Sequence, residues 1–172
     1  MTEMTPTLGT KAFSLPSEGV DSPGGGRSEN CPPSTTMVKN AFRWPVRVYW
    51  EDTDAGGIVF YANYLKFFER ARTEWLRSFG IEQHRLKDST GGMFVVAETT
   101  MRYLRPARLD DELMVTARLQ ARGRASMTIH QQAWLKSTLL CEGTIRIGWV
   151  DAARLQPNRI PQNIIDSLKE AI

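Results

Sequence analysis

The chain has 172 residues, about the length of one domain, and 41% of them are apolar, enough to bury a core. No run approaches the ~18 consecutive apolar residues of a membrane-spanning helix. Two cysteines (Cys31, Cys141) and two histidines (His84, His130) exclude a disulfide scaffold and a Cys- or His-built metal centre. A net charge of +3 is too mild to announce a nucleic-acid binder.

Residues 1–36 hold five Gly and five Pro among scattered Ser and Thr, with Phe13 the one aromatic. Such a stretch buries too little apolar surface to offset its ordering entropy, and a disordered tail is expected. It lacks the basic start and apolar core of a secretory signal. Its Ser22-Pro23-Gly24-Gly25-Gly26-Arg27 has the glycines of a phosphate loop without the closing Gly-Lys-Ser/Thr. Met37 offers a second explanation, a translation start that makes the tail a gene-model artefact. In both cases the working domain is 37–172. Removing the tail's two basic and four acidic residues from the totals of 22 and 19 leaves 20 and 15, a net of +5 that suits anionic ligands.

Phe42, Trp44, Val46, Val48 and Trp50 alternate with Arg43, Pro45, Arg47, Tyr49 and Glu51, which predicts a half-buried strand. Pro45 places its beginning at a sheet edge or bulge. A turn through Asp52-Thr53-Asp54-Ala55-Gly56-Gly57 and a short run Ile58-Val59-Phe60-Tyr61 lead to a helix. Tyr64, Phe68, Ala71, Trp75 and Phe79 form its apolar stripe, widened by Leu65 and Leu76. Lys66, Arg70, Thr73 and Arg77 face away. Asn63 is a candidate N-cap, with a start one or two residues earlier as the alternative, and Gly80 ends the helix in a left-handed conformation.

Four strands follow: around 93–104; Leu113 to Leu119; Met127 to Leu135; and Leu139 to Trp149. Short turns at Arg122-Gly123-Arg124 and Lys136-Ser137 predict an antiparallel meander for the last three. Pro161 opens a short terminal helix with Ile164, Ile165 and Leu168 on its apolar side. One long helix and a curled five-stranded antiparallel sheet make an α+β domain of the hotdog arrangement. The far sheet edge and the leftover apolar face favour a dimer.

The chemistry concentrates between residues 50 and 64. Asp54 lies a few residues before a helix N-terminus, whose free N–H groups carry roughly half a unit of positive charge. Such donors polarise a carbonyl and hold an oxyanion, while an opposed carboxylate attacks the carbonyl or deprotonates a water that does. Gly56 and Gly57 let the backbone approach the reacting centre. The competing reading of an Asp-rich turn is simple turn and capping chemistry, and Glu51 and Asp52 are expected to be turn or surface groups.

The segment from Val46 through Glu51-Asp52-Thr53-Asp54-Ala55-Gly56-Gly57-Ile58-Val59-Phe60-Tyr61 to Tyr64 resembles the active-site signature of the 4-hydroxybenzoyl-CoA thioesterase family. More narrowly it is similar to the Tol-Pal-associated acyl-CoA thioesterase subgroup. Phe42-Arg43-Trp44-Pro45, Phe68-Glu69-Arg70-Ala71-Arg72-Thr73-Glu74 and Pro106-Ala107-Arg108-Leu109-Asp110-Asp111 carry the same likeness, which spans about 41–165. The resemblance implies that Asp54 is the catalytic carboxylate and that the Tyr61 N–H, at the helix start, polarises the thioester carbonyl. Gly57, Ile58 and Val59 are then substrate contacts. Subgroup members often carry His where Tyr61 stands; a backbone donor survives that change, whereas an imidazole role does not.

The resemblance further implies a cytoplasmic or inner-membrane-peripheral enzyme acting on short-chain or aromatic acyl-CoA, with acyl-carrier protein as the alternative thioester carrier. It implies a homodimer or homotetramer with sites at the dimer interface, and no cofactor beyond the CoA of the substrate. Arg122, Arg124 and Ser126 fall where family members contact CoA phosphates; a solvated basic hairpin is the alternative. Arg102, Arg105 and Arg108 raise the same question. Basic residues near aromatics also describe an RNA binder, but here the aromatics occupy periodic core positions, and no nucleic acid, transmembrane segment or metal is expected. Some hotdog thioesterases use a helix carboxylate; Glu69 is the candidate, though a Glu69–Arg72 ion pair explains it structurally. The competing function is a non-catalytic acyl-ligand or partner-binding protein of the cell envelope. A hydratase is disfavoured because neither histidine lies near the helix start.

Overall fold

A computed structural model describes residues 41–168; the expected tail, the Met37 start and Cys31 lie outside the described residues. The elements are β1 (Phe42–Arg47), α1 (Asn63–Ser78), α2 (Gln83–Thr90), β2 (Gly92–Tyr103), β3 (Glu112–Arg122), β4 (Ser126–Leu135), β5 (Thr138–Asp151) and α3 (Gln162–Ser167). The strands form one antiparallel sheet in the order β1-β3-β4-β5-β2, so β3, β4 and β5 make the expected meander. β1 and β2 are the edges, and Pro45 sits on an edge strand opposite Met114. This is the hotdog fold, with α1 packed against the inner face.

Alternation decides which residues face α1. Leu113, Val115 and Ala117 of β3, Met127 and Ile129 of β4, and Cys141, Ile145, Ile147 and Trp149 of β5 are all buried. They close on Tyr64, Phe67, Phe68, Ala71, Trp75 and Leu76 of α1. Each large apolar side chain so enclosed contributes about 1.5–3 kcal/mol. Gly143 marks a close crossing of helix and sheet: a Cβ there would lie 3.2 Å from Phe68 Cε2 and 2.5 Å from Met101 Sδ. Only a residue without a side chain lets the Phe68 ring and β2 close on β5 together.

Four expectations change. The helix stripe is buried at Tyr64, Phe68, Ala71, Trp75 and Leu76 as expected, but it widens to Phe67, which is fully buried, and not to Leu65, which is 41% exposed. The first strand ends at Arg47, because Trp50–Asp52 turns into a single 3-10 turn, and Trp50 is 80% exposed instead of facing the core. The turn swings the ring off the strand's inner face. An unforeseen helix, α2, follows α1 and ends at Gly91, whose φ is +65°; His84 lies on its exposed surface. The fourth concerns Arg72, which is buried and donates to Gln131 Oε1 at 3.0 Å instead of pairing with Glu69. Gln131 in turn donates to the Phe68 carbonyl at 2.8 Å, which ties the middle of α1 to β4. Burial disfavours the charged form of Arg72 and lowers its pKa, opposed by the nearby Glu69.

At the chain's other end α3 starts after Pro161 and buries Ile164 and Leu168, as its pattern predicts. No helix among the described residues is long and apolar enough to cross a membrane.

Candidate active site

The segment between β1 and α1 is a small closed structure. Thr53 and Val59 pair as an antiparallel bridge, with Asp54 N–H donating to the Ile58 carbonyl at 2.9 Å. The reversal requires Gly57, whose φ is +70°, a conformation that a Cβ disfavours. Asp54 shapes the turn itself: its Oδ1 accepts the Gly56 N–H at 2.8 Å and its carbonyl accepts the Gly57 N–H at 3.0 Å. The second carboxylate oxygen has no protein partner among the described residues, and the side chain is exposed. Asp54 thus has one oxygen fixed and one presented to solvent.

The loop is fastened on two further sides. Ile58 bridges to Arg108, and Val59 N–H donates to the Ala107 carbonyl at 2.9 Å. Ala107 N–H donates to the Tyr64 hydroxyl oxygen at 3.0 Å, joining that strip to the first turn of α1. Burial pushes the Tyr64 hydroxyl up to about 12 and the neighbouring Cys141 thiol to about 12 as well, so both stay protonated under the site. On the helix side, Asn63 Nδ2 donates to the Asp52 carbonyl at 3.0 Å, and Phe60 N–H donates to the same oxygen at 2.9 Å.

α1 begins at Asn63 with Ala62 as its cap and no side-chain cap bond. Tyr61 therefore stands one residue before the cap, slightly ahead of the helix start expected from the sequence. Its N–H and that of Ala62 meet no acceptor among the described residues. The Tyr61 ring is 62% exposed, packed on Phe60 with centroids 4.6 Å apart and edge-on to Tyr103 at 6.1 Å. An aromatic wall thus stands beside two unused donors, with an exposed carboxylate on the adjoining loop.

Asp52 is a turn group, as expected, but not a surface one. It is 1% exposed, with Oδ2 accepting the Tyr49 N–H at 2.9 Å and Oδ1 buried without a partner. The burial follows from loop closure against α1, a tertiary event with no periodic signal; the flanking Glu51 is exposed as expected.

The remaining candidates are dispersed. Glu69 accepts the Thr73 hydroxyl at 2.7 Å, and Thr73 accepts Gln83 Nε2 at 3.0 Å. With Arg72, Phe94, Val96 and Ile147, Glu69 lines a cavity of about 180 Å³. Arg122 donates to the Ile165 carbonyl at 3.1 Å and braces α3. Gly123 N–H closes the hairpin on the Ser126 carbonyl at 2.8 Å, and the Arg124 carbonyl accepts the Ile160 N–H at 2.9 Å. Ser126 is half-buried and Arg124 exposed.

One chain does not bring these basic residues to Asp54. The Asp54 loop is bonded to Ala107 and Arg108, just before β3 starts, and the Arg122–Ser126 hairpin lies where β3 ends. At ~3.3 Å per residue β3 separates them by about 30 Å. His130 is half-buried in β4, where burial lowers its pKa. Among the described residues no three His, Cys, Asp or Glu side chains converge as a metal-ligand set.

A hotdog domain whose helix start adjoins an exposed carboxylate defines a class of protein, and comparison with known proteins agrees with it. The sequence profile of the thioesterase superfamily matches residues 56–142. The acyl-CoA thioester hydrolase YbgC of Escherichia coli is 41% identical over 135 residues, covering 78% of this chain and 100% of that protein. The acyl-CoA thioesterase YbgC of Haemophilus influenzae is 39% identical over 128 residues, covering 74% and 94%. Among solved structures, a probable thioesterase from Bartonella henselae superposes with a TM-score of 0.68 at 30% identity, covering 70% of this chain and 99% of that one. The chain belongs to the thioesterase superfamily, and its class is that of a thioester hydrolase.

Proposed function

We propose that the protein hydrolyses the thioester of short-chain or aromatic acyl-CoA, releasing a carboxylic acid and free CoA. The observation that carries this reading is the pairing of Asp54, with one oxygen anchored and one exposed, and the unused N–H groups at Tyr61 and Ala62. The thioester carbonyl accepts the Tyr61 N–H, which draws charge from the carbon and holds the oxyanion as it forms. Gly57, Ile58 and Val59 flank the bound acyl group. Asp54 acts in one of two ways. As general base it takes a proton from a water whose oxygen bonds to the carbonyl carbon; the C–S bond then breaks and the thiolate leaves and is protonated. As nucleophile its oxygen bonds to the carbon, expels the thiolate and leaves an anhydride that water hydrolyses. Neither route calls on a cofactor beyond the CoA that the substrate itself carries.

The separation of Asp54 from Arg122, Arg124 and Ser126 along β3 supports a homodimer or a homotetramer. CoA phosphates held by that hairpin then belong to a site whose carboxylate comes from a second copy. CoA is the expected carrier in a cytoplasmic or membrane-peripheral enzyme, and acyl-carrier protein the competing one. The thioester hydrolase activity for which the relatives are named supports the reaction class.

The test is thiol release from a panel of acyl-CoA esters by the full chain and its Asp54→Asn variant. The variant is expected to lose about 10²–10⁴-fold in kcat, the range of a positioned acid–base group, with its melting temperature unchanged. Equal rates would remove Asp54 and bring Glu69 forward. Binding without turnover of any thioester would make the chain a non-catalytic acyl-binding protein.

A further inference from the structure

Asp52 is the one described residue with a fully buried side-chain oxygen that lacks a hydrogen-bond partner. A half-satisfied buried carboxylate works against stability, since an apolar side chain would avoid the loss of solvation. Its other contacts show what the position does. Oδ2 holds the Tyr49 N–H at 2.9 Å and so fixes the turn that carries the Asp52 carbonyl. That single carbonyl oxygen accepts Phe60 N–H at 2.9 Å and Asn63 Nδ2 at 3.0 Å, one donor on each side of Tyr61 and Ala62. Asn63 is itself 7% exposed and reaches the Glu51 carbonyl at 3.4 Å. Two residues further along the chain from this carbonyl stands Asp54. The Asp52 carbonyl thus ties the chain just before Asp54 to the residues on both sides of the unused N–H groups, beside the Asp54 N–H bond to the Ile58 carbonyl.

We propose that Asp52 and Asn63 are positioning residues: the Asp52 carbonyl, aimed by its buried carboxylate and gripped by Asn63, sets the separation between the Asp54 carboxylate and the Tyr61 N–H. This rests on the reading of Asp54 and Tyr61 as the reacting groups. Neither Asp52 nor Asn63 touches substrate. Their effect is on the geometry of approach, where a displacement of about 1 Å costs on the order of 100-fold in rate.

The experiment measures kcat and KM for acyl-CoA hydrolysis by the full chain and by Asp52→Ala, Asn63→Ala and Asp52→Asn, each checked for its folded fraction by a thermal melt. Asp52→Ala and Asn63→Ala are expected to lower kcat about 10–100-fold with KM held within about twofold, the signature of misplacement instead of lost binding. Asp52→Asn keeps an acceptor for the Tyr49 N–H and is expected to recover kcat to within about threefold of the parent. Losses that merely track unfolding, a rise in KM at constant kcat, or an Asn variant as damaged as the Ala variant would each overturn the proposal. An active parent with unaffected variants overturns the positioning role alone. A parent inactive on every thioester overturns the reading of the site together with it.

Discussion

The two ends of α1 are finished in opposite ways. At the C-terminal end Gly80, with φ of +76°, donates to the Arg77 carbonyl at 2.9 Å, and the buried Ile81 donates to the Leu76 carbonyl at 3.1 Å. The last carbonyls are thereby satisfied and an apolar residue seals the exit, a Schellman closure. At the N-terminal end there is no side-chain cap, and the N–H groups of Tyr61 and Ala62 meet no acceptor among the described residues. Beside them the Tyr61 ring stands in solvent. A helix built for stability alone would close both ends, since each satisfied terminus is worth about 1 kcal/mol. The open end is where the Asp54 loop arrives, so the fold leaves donors unused where the proposed reaction develops charge.

The contrast holds only if the helix body is anchored independently of its open end. Phe68 is the sharpest probe, being fully buried and lying over Gly143. Phe68→Ala is expected to destabilise by about 3–5 kcal/mol, because lost transfer energy and an unfilled cavity add. Urea unfolding measures the loss. At a temperature where the variant is still folded, kcat is expected to stay within about twofold of the parent, since no reacting group moves. A large fall in kcat would show that the inner-face packing and the open end are one unit.

The closed end gives a smaller effect. Gly80→Ala forces a Cβ into a left-handed conformation and is expected to cost about 1–2 kcal/mol, read as a lower melting temperature with kcat and KM unchanged. Replacement that left stability untouched would mean that the closure is not what holds this end.

This asymmetry was only half legible in the sequence. Gly80 announced the closed end, because a glycine after the last periodic residue has a local meaning. The Leu113-to-Leu119 and Leu139-to-Trp149 alternations announced which faces α1 covers, because a period of two survives any tertiary arrangement. The side on which the α1 stripe widens was not legible: Leu65 and Phe67 both fit a stripe at helical spacing, and only the sheet's position decides that Phe67 goes in. Nor was α2, since Gln83–Thr90 carries a single large apolar residue, Leu86, although Gly91 was a stop signal that could have revealed it. The site divides in the same way. Asp54 stood out through its Gly-rich turn and its distance from a helix start. The burial of Asp52 and Asn63 did not, because it depends on two segments closing on each other; the sequence offered Asn63 only as a candidate N-cap and Asp52 only as a turn or surface group.

The smallest expected change in stability is the one that tests the asymmetry most directly. Ala62 is half-buried at the cap position and contributes no side-chain bond. Ala62→Asp places a negative charge against the positive end of α1, which is expected to stabilise the fold by about 0.3–1 kcal/mol at low salt. The same charge stands beside the donors that hold the oxyanion in the proposed reaction. Two negative charges about 5 Å apart at an effective dielectric near 20 repel by several kcal/mol, so the transition state loses far more than the fold gains. A higher melting temperature combined with a fall in kcat of at least about tenfold is the expected outcome, with both effects shrinking as salt is raised. If the variant is more stable and equally active, the open end of α1 holds no developing negative charge, and its unused donors need another explanation.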